Sequence, residues 1–252
     1  MNTVIDVNGV VKIYEGRSAV LDGVTFSVQE REFVAIYGRS GCGKTTLLNM
    51  LGGLDRPTSG RIVIDGENII GLSEDELASM RLRKIGFVFQ DYNLLSDLTV
   101  RENVGLPLRF SKRTERGQVD ELLKKFDIHG ISEEKANKIS GGEAQRTAIA
   151  RAMINEPRII LADEPTGNLD VENTEKVIEI FNLVRRDFNT TIVLATHDRD
   201  LATYASSKVL LSEGKAIVES GGTRAVTLQR PGIDSMYTIG HLRYKPKYSI
   251  LH

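Results

Sequence analysis

Gly38-Arg39-Ser40-Gly41-Cys42-Gly43-Lys44-Thr45 sets a lysine and a hydroxyl directly behind a glycine-rich turn, in the spacing G-x-x-x-x-G-K-[ST]. Glycines let the backbone wrap a phosphate chain so that its N–H groups converge on the oxygens. The spacing predicts that Lys44 reaches β and γ phosphates and that Thr45 puts its hydroxyl on Mg²⁺. The chemistry is nucleotide phosphate binding, which many kinds of protein share. Ile159-Ile160-Leu161-Ala162-Asp163-Glu164 is an apolar run that ends in two carboxylates. At a strand end of a parallel sheet these face the ligand crevice. Asp163 there can hold Mg²⁺ through water, and Glu164 can orient or polarise an attacking water. Paired acids also suit a helix N-terminus. Thr191 to Asp198 repeats the pattern and places His197 where a γ-phosphate contact can form; His129, His241 and His252 have no such setting. Finally, Ser140-Gly141-Gly142 opens a helix, where N–H groups and the helix dipole make a second anion site. Serine and glycine are also ordinary caps.

These groups must be carried by strands that end at them. Phe33 to Tyr37 reads as a buried strand before the glycine turn, and Thr45 to Leu51 as the helix after it. Val4 to Tyr14 and Val20 to Val28 are β-rich, with Asp22-Gly23 as turn chemistry. Arg61 to Gly66 reads as strand and turn, Ser73 to Glu76 as a capping box for a helix through about Arg83, and Phe87 to Phe89 as a strand ending at Gln90. Leu98 to Asn137 is charged and mostly helical, with Val119, Leu122, Leu123 and Phe126 at helical spacing. It predicts a helical insertion over about 91–140. Alternation then resumes, with a helix after Gly142, a strand to Ala162, a helix over Asn173 to Arg186, a strand to Ala195, and two last strands around Glu213-Gly214. This pattern predicts an α/β fold with a largely parallel sheet covered by helices.

The 252 residues carry 33 Lys and Arg against 34 Asp and Glu, a net charge of −1 that gives no whole-chain attraction to nucleic acid or anionic lipid. Nucleic acid is therefore not an expected partner. With 40% hydrophobic and 27% charged residues the composition argues against a disordered chain. Cys42 is the one cysteine, which excludes an internal disulfide and a multi-cysteine zinc site. No apolar run approaches the roughly 18 residues that cross a bilayer, and the start has no signal-like layout. A cytoplasmic location is expected, with any membrane attachment supplied by another protein. From Gly221 the chain changes character. Arg224, Arg230, Arg243, Lys245 and Lys247 face Asp234 alone, among Tyr237, Tyr244 and Tyr248. This 221–252 extension reads either as a plain appendage or as a docking arm.

Across roughly residues 1–220 the sequence resembles the ATP-binding subunits of ABC transporters. GRSGCGKTT is similar to the Walker A loop, which adds Thr46, and IILADEP to the Walker B strand. ISGGEAQR is similar to the signature, and THD to the switch-histidine motif. The resemblance implies further roles: Gln90 as the Q-loop glutamine, a Mg²⁺ ligand and link to a membrane partner; Asp170 in the D-loop; and Tyr14 as the aromatic that stacks on adenine. It also implies a P-loop NTPase core with an antiparallel β subdomain and an inserted helical subdomain. YNLLSDLTVRENVGLPL and DEPTGNLD resemble the branch holding lipoprotein-release, macrolide-export and cell-division ATPases. Two positions depart from it: Ile139 stands where leucine is usual, and Ser96 where proline is common.

Members of that family pack two cassettes head to tail. Each ATP then lies between one Walker A loop and the other chain's signature, here Ser140, Gly141, Gly142 and Glu143, which explains two anion sites on one chain. The resemblance implies ATP and Mg²⁺ as ligands, a second copy and transmembrane permease subunits as partners, and a place on the inner face of the membrane. The function implied is an ATP-hydrolysing motor for export or extraction. The alternative is a cassette that switches a membrane complex without transport. Translation or DNA-repair ATPases fit less well, because the chain has neither a tandem cassette nor a long coiled-coil insertion.

Overall fold

A computed structural model of the chain describes residues 2–16, 18–111 and 117–220. The extension over 221–252 lies outside the described residues. Thr3–Ile13 (β1) and Ala19–Gln29 (β2) form an antiparallel pair, Phe33–Tyr37 (β3) follows, and Lys44–Leu51 (α1) leads out of the glycine turn. Ser59–Ile64 (β4) and Glu67–Asn68 (β5) return the chain beside β1, giving a four-stranded sheet in the order β2-β1-β4-β5. Glu74–Lys84 (α2) precedes Ile85–Val88 (β6).

After β6 come Val100–Gly105 (α3), Leu108–Ser111 (α4), Gln118–Lys125 (α5) and Gly141–Met153 (α6). Ile159–Asp163 (β7), Val171–Asp187 (α7), Thr191–Thr196 (β8), Ser207–Ser212 (β9) and Lys215–Ser220 (β10) complete the described chain. The second sheet runs β10-β9-β3-β8-β7-β6. All its pairs are parallel except β10 with β9. The expected α/β class, with a mostly parallel sheet and a separate antiparallel sheet, is what the chain forms.

The parallel strands are apolar on both faces because each face has a core. Phe33, Ala35 and Tyr37 join one cluster with Val104, Leu123, Ile149 and Phe181 from α3, α5, α6 and α7. Val34 and Ile36 point the other way, into a cluster with Val7, Val24, Leu47 and Leu51 from the antiparallel sheet and α1. Two cores on one sheet hold the strand ends, and so the loops on them, in fixed register.

Two local readings change. Asp22-Gly23 lies inside β2, where it makes no turn: pairing steps from Val10↔Val24 to Lys12↔Leu21, one residue more on β2 than on β1, and Gly23 has φ 75°. That is a bulge, and it frees the Asp22 N–H to donate to Gly214 O at 2.8 Å, which ties the two sheets together. Between Gln90 and Ser140, the helices are short and begin only at Val100. The stretch before α3 is organised by fully buried Asn103, whose Oδ1 accepts from Leu95 N at 2.8 Å while its Nδ2 donates to Thr99 O at 3.0 Å.

Candidate functional site

The glycine turn is built by backbone geometry. Gly41 and Gly43 have φ of 78° and 105°, values at which a side chain would be strained. A Cβ on Gly38 would stand 2.2 Å from Leu211 O, so β9 and the start of the turn meet only because no side chain intervenes. Lys44 is 7% exposed, and its Nζ curls back to donate to Gly38 O at 3.1 Å and Arg39 O at 3.4 Å. The same Nζ is 3.4 Å from Glu164 Oε1.

Glu164 follows β7 directly and has φ 46°. A non-glycine residue in the left-handed region costs about 1–3 kcal/mol, and such strain clusters at functional sites. Here its N–H donates to Ala195 O at 2.9 Å, locking the turn onto β8. The carboxylate then meets the end of β8: Oε2 accepts from His197 N at 3.2 Å and lies 2.9 Å from His197 Nδ1. Lys44, Glu164 and His197 therefore converge from the C-terminal ends of three adjacent strands, β3, β7 and β8.

Asp163 lies beside them, at the end of β7. Burial pushes its carboxyl pKa up, Thr45 donates a hydrogen bond that lowers it, and the Glu164 charge raises it further. Its Oδ1 is buried without a protein partner. An orphaned carboxylate oxygen beside a threonine hydroxyl fits a hydrated Mg²⁺, which keeps several waters and takes few protein oxygens. Among the described residues no cluster of three or more His, Cys, Asp and Glu is poised to hold a metal alone. Such an ion would share its ligation with phosphate oxygens.

A cavity of about 440 Å³ collects Tyr14, Ser40, Gly41, Gly43, Lys44, Thr45, Thr46, Gln90, Glu164 and His197. That volume suits a nucleotide-sized ligand. Gly38, Arg39 and Cys42 instead line a neighbouring cavity with His197 and Arg199. Ser140, Gly141, Gly142, Glu143 and Asp170 line neither. Ser140 caps α6, with its Oγ donating to Glu143 Oε2 at 2.7 Å and accepting from Glu143 N at 3.4 Å. The Ser140 hydroxyl, together with the Ser140 N–H donating to the same oxygen at 2.8 Å, holds the Glu143 carboxyl below its usual range. Asp170 caps α7 through Asn173 N at 2.8 Å.

Two positions of this region escape a reading of the sequence. A Cβ on Gly142 would be 2.2 Å from Asn173 Oδ1, and Asn173 Nδ2 donates to Asp170 at 3.0 Å, so the starts of α6 and α7 touch through one asparagine. Arg151, on α6, donates to Tyr92 O at 2.7 Å and also to Asn93 O, fixing the left-handed pair after Gln90. Neither residue belongs to a motif, and only the fold brings their partners near.

The arrangement defines a nucleotide-binding α/β cassette. The ABC transporter family model matches residues 21–167. The chain is 41% identical over 224 residues to the ABC transporter ATP-binding protein YxdL of Bacillus subtilis, covering 87% of each chain. It is 40% identical over 220 residues to the lipoprotein-releasing system ATP-binding protein LolD of Cytophaga hutchinsonii, covering 86% of this chain and all of the relative. Among solved structures, the dimeric post-hydrolysis state of the ATP-binding cassette MJ0796 bound to ADP and Pi is similar at a TM-score of 0.80 and 38% identity, over 87% of this chain and 100% of that one. The chain belongs to the ABC transporter ATP-binding family, whose members bind and hydrolyse ATP with Mg²⁺. The resemblance read from the motifs, including the lipoprotein-release branch, is borne out.

Proposed function

We propose that the chain is the ATP-driven motor subunit of a membrane export or extraction complex, working as a head-to-tail pair of identical copies. The observation that carries this reading is the convergence of Lys44, Glu164 and His197 on one cavity beside Thr45 and Asp163.

The phosphate chain of ATP lies in the loop of Gly38, Arg39, Ser40, Gly41, Cys42, Gly43, Lys44, Thr45 and Thr46, and Tyr14 faces the adenine. Thr45, Gln90 and, through water, Asp163 would hold Mg²⁺, which would neutralise charge on the phosphates. Lys44 leaves Glu164 for the phosphates, a better partner for an ammonium than a single carboxylate. Glu164 then accepts a proton from the water that attacks the γ phosphorus, the bridging bond to ADP breaks, and His197 holds the carboxylate and the γ oxygens in place. Ser140, Gly141, Gly142 and Glu143 of a second copy close the same site from the other side. Asp170, at the start of α7, joins that contact.

In this reading a permease docks on the surface after Gln90, around Asp91 to Asn103. A groove of about 270 Å³ lined by Phe87, Phe89, Asn93, Pro107 and Arg151 supports it, since Arg151 links that surface to the signature helix α6. No helix among the described residues is long and apolar enough to cross a membrane. In this reading a permease holds the subunit at the inner face. Release of phosphate from MgATP tests the site: Glu164→Gln should lose about 100-fold or more, and an unchanged rate would remove Glu164 from the chemistry. Copurification of a permease from detergent-solubilised membranes tests the docking, and its consistent absence would count against it.

A further inference from the structure

Tyr14 stands just beyond the end of β1 and is 37% exposed, a setting in which an aromatic ring ordinarily samples several rotamers. Here it is held from two directions. Its hydroxyl donates to Asp55 Oδ2 at 2.7 Å, and Lys12 Nζ sits 4.6 Å from the ring centroid, over one face. Lys12 is 9% exposed and gives its ammonium to Asp55 Oδ1 at 2.6 Å and to Arg56 O at 2.7 Å. Asp55 Oδ1 also accepts from Arg56 N at 2.7 Å. Burial acts to raise the Asp55 pKa, but the bonds from Lys12, Tyr14 and Arg56 outweigh it and hold the carboxyl below its usual range. The strand end itself is pinned, with Thr58 Oγ1 accepting from Ile13 N at 3.0 Å.

We infer that Lys12 and Asp55 are positioning residues that hold the Tyr14 ring as a preformed stacking surface for the nucleotide base. The inference rests on the proposal that Tyr14 faces adenine. Lys12 fills one face of the ring, so a base entering the cavity that Tyr14 lines is offered the other. The hydroxyl bond fixes the rotation of the ring, and the ammonium fixes its tilt. Ordering a free side chain on binding weakens affinity, and this triad meets that cost on folding. The effect belongs to the base, because the side-chain hydrogen bonds of Lys12 and Asp55 run to Tyr14, to Arg56 and to each other and not to the glycine turn. Asp55 lies in the return from α1 to β4, far in sequence from Tyr14, and neither it nor Lys12 falls in a phosphate motif.

The test is titration calorimetry with ATP and with inorganic tripolyphosphate, which has the phosphates and no base. Tyr14→Phe, which removes only the hydroxyl bonded to Asp55, and Asp55→Asn should each weaken ATP binding about three- to tenfold and leave tripolyphosphate unchanged. Tyr14→Ala separates the two ideas. If Tyr14→Ala keeps full ATP affinity, the base does not stack there and the inference falls with that reading. If Tyr14→Ala loses affinity while Tyr14→Phe and Asp55→Asn retain it, stacking stands and the positioning role is overturned. Equal losses for ATP and tripolyphosphate in Asp55→Asn would also overturn it, by showing a general distortion of the site.

Discussion

His197 Nδ1 lies 2.9 Å from Glu164 Oε2, while the other oxygen of that carboxylate is 3.4 Å from Lys44 Nζ. One carboxylate thus spans the lysine behind the glycine turn and the strand end that carries the histidine. In the proposed mechanism His197→Ala removes the group that holds Glu164 Oε2 toward the reacting water. It should lower kcat for MgATP about 100-fold or more with a much smaller change in KM. A steady-state rate series checks this, and a loss confined to KM would show that His197 only helps bind ATP.

In the proposed site Lys44→Ala takes away the charge that meets the β and γ phosphates, and it removes the Lys44–Glu164 ion pair. ATP affinity measured by calorimetry should fall about 100-fold, the order expected for losing a charge-assisted contact. Retained affinity would contradict the phosphate-loop assignment.

Asp163 gives a pH-dependent prediction. Its carboxyl pKa is raised above the ordinary 3.8, chiefly by burial. Between those two values the native state holds more protons than the unfolded chain, so stability falls as pH rises through the window. At pH 7.5, without nucleotide or metal, Asp163→Asn should therefore melt higher than the wild type, by about 2–4 °C per kcal/mol relieved. MgADP should then raise the melting temperature of the wild type more than that of the variant. A lower apo melting temperature in Asp163→Asn would contradict this.

Gly142→Ala places a methyl 2.2 Å from Asn173 Oδ1. Asn173 must move, and its bond to Asp170 at the start of α7 goes with it. Urea denaturation should show a loss of about 1–3 kcal/mol. In Gly142→Ala/Asn173→Ala the combined loss should be clearly less than the sum of the single losses, as expected for residues in contact. Additive losses would mean that the two helices are not coupled through this contact.

What could be read from the sequence was what is local. Ser73 with Glu76 and Ser140 with Glu143 are capping boxes, set by residues three apart, and both form. The five-residue run Phe33–Tyr37 is a strand because every one of its side chains is buried. The ends of β7 and β8 were legible because an apolar run of strand length that stops at acids or at Thr-His-Asp suits the end of a buried strand. Asp22-Gly23 forms a bulge where the sequence predicts a turn, because the dipeptide suits both and the choice depends on a partner strand. The contacts of Asn173 with Gly142, Arg151 with Tyr92, and Asp55 with Tyr14 join residues 31, 59 and 41 positions apart. No periodicity marks such pairs, so only the assembled fold reveals them.

In the proposed cycle two copies trap ATP between the Lys44 loop of one and the Ser140 segment of the other, and Glu164 resets them by hydrolysis. Glu164→Gln keeps the size of the side chain but cannot take a proton or carry charge. Removing that carboxylate also lessens repulsion at a surface crowded with phosphate oxygens. Size-exclusion chromatography with saturating ATP is the direct measurement. Glu164→Gln should elute as a dimer and the wild type mainly as a monomer, and adding Ser140→Arg should return the variant to monomer. A Glu164→Gln protein that stays monomeric, or a double variant that dimerises equally well, would contradict the two-site mechanism.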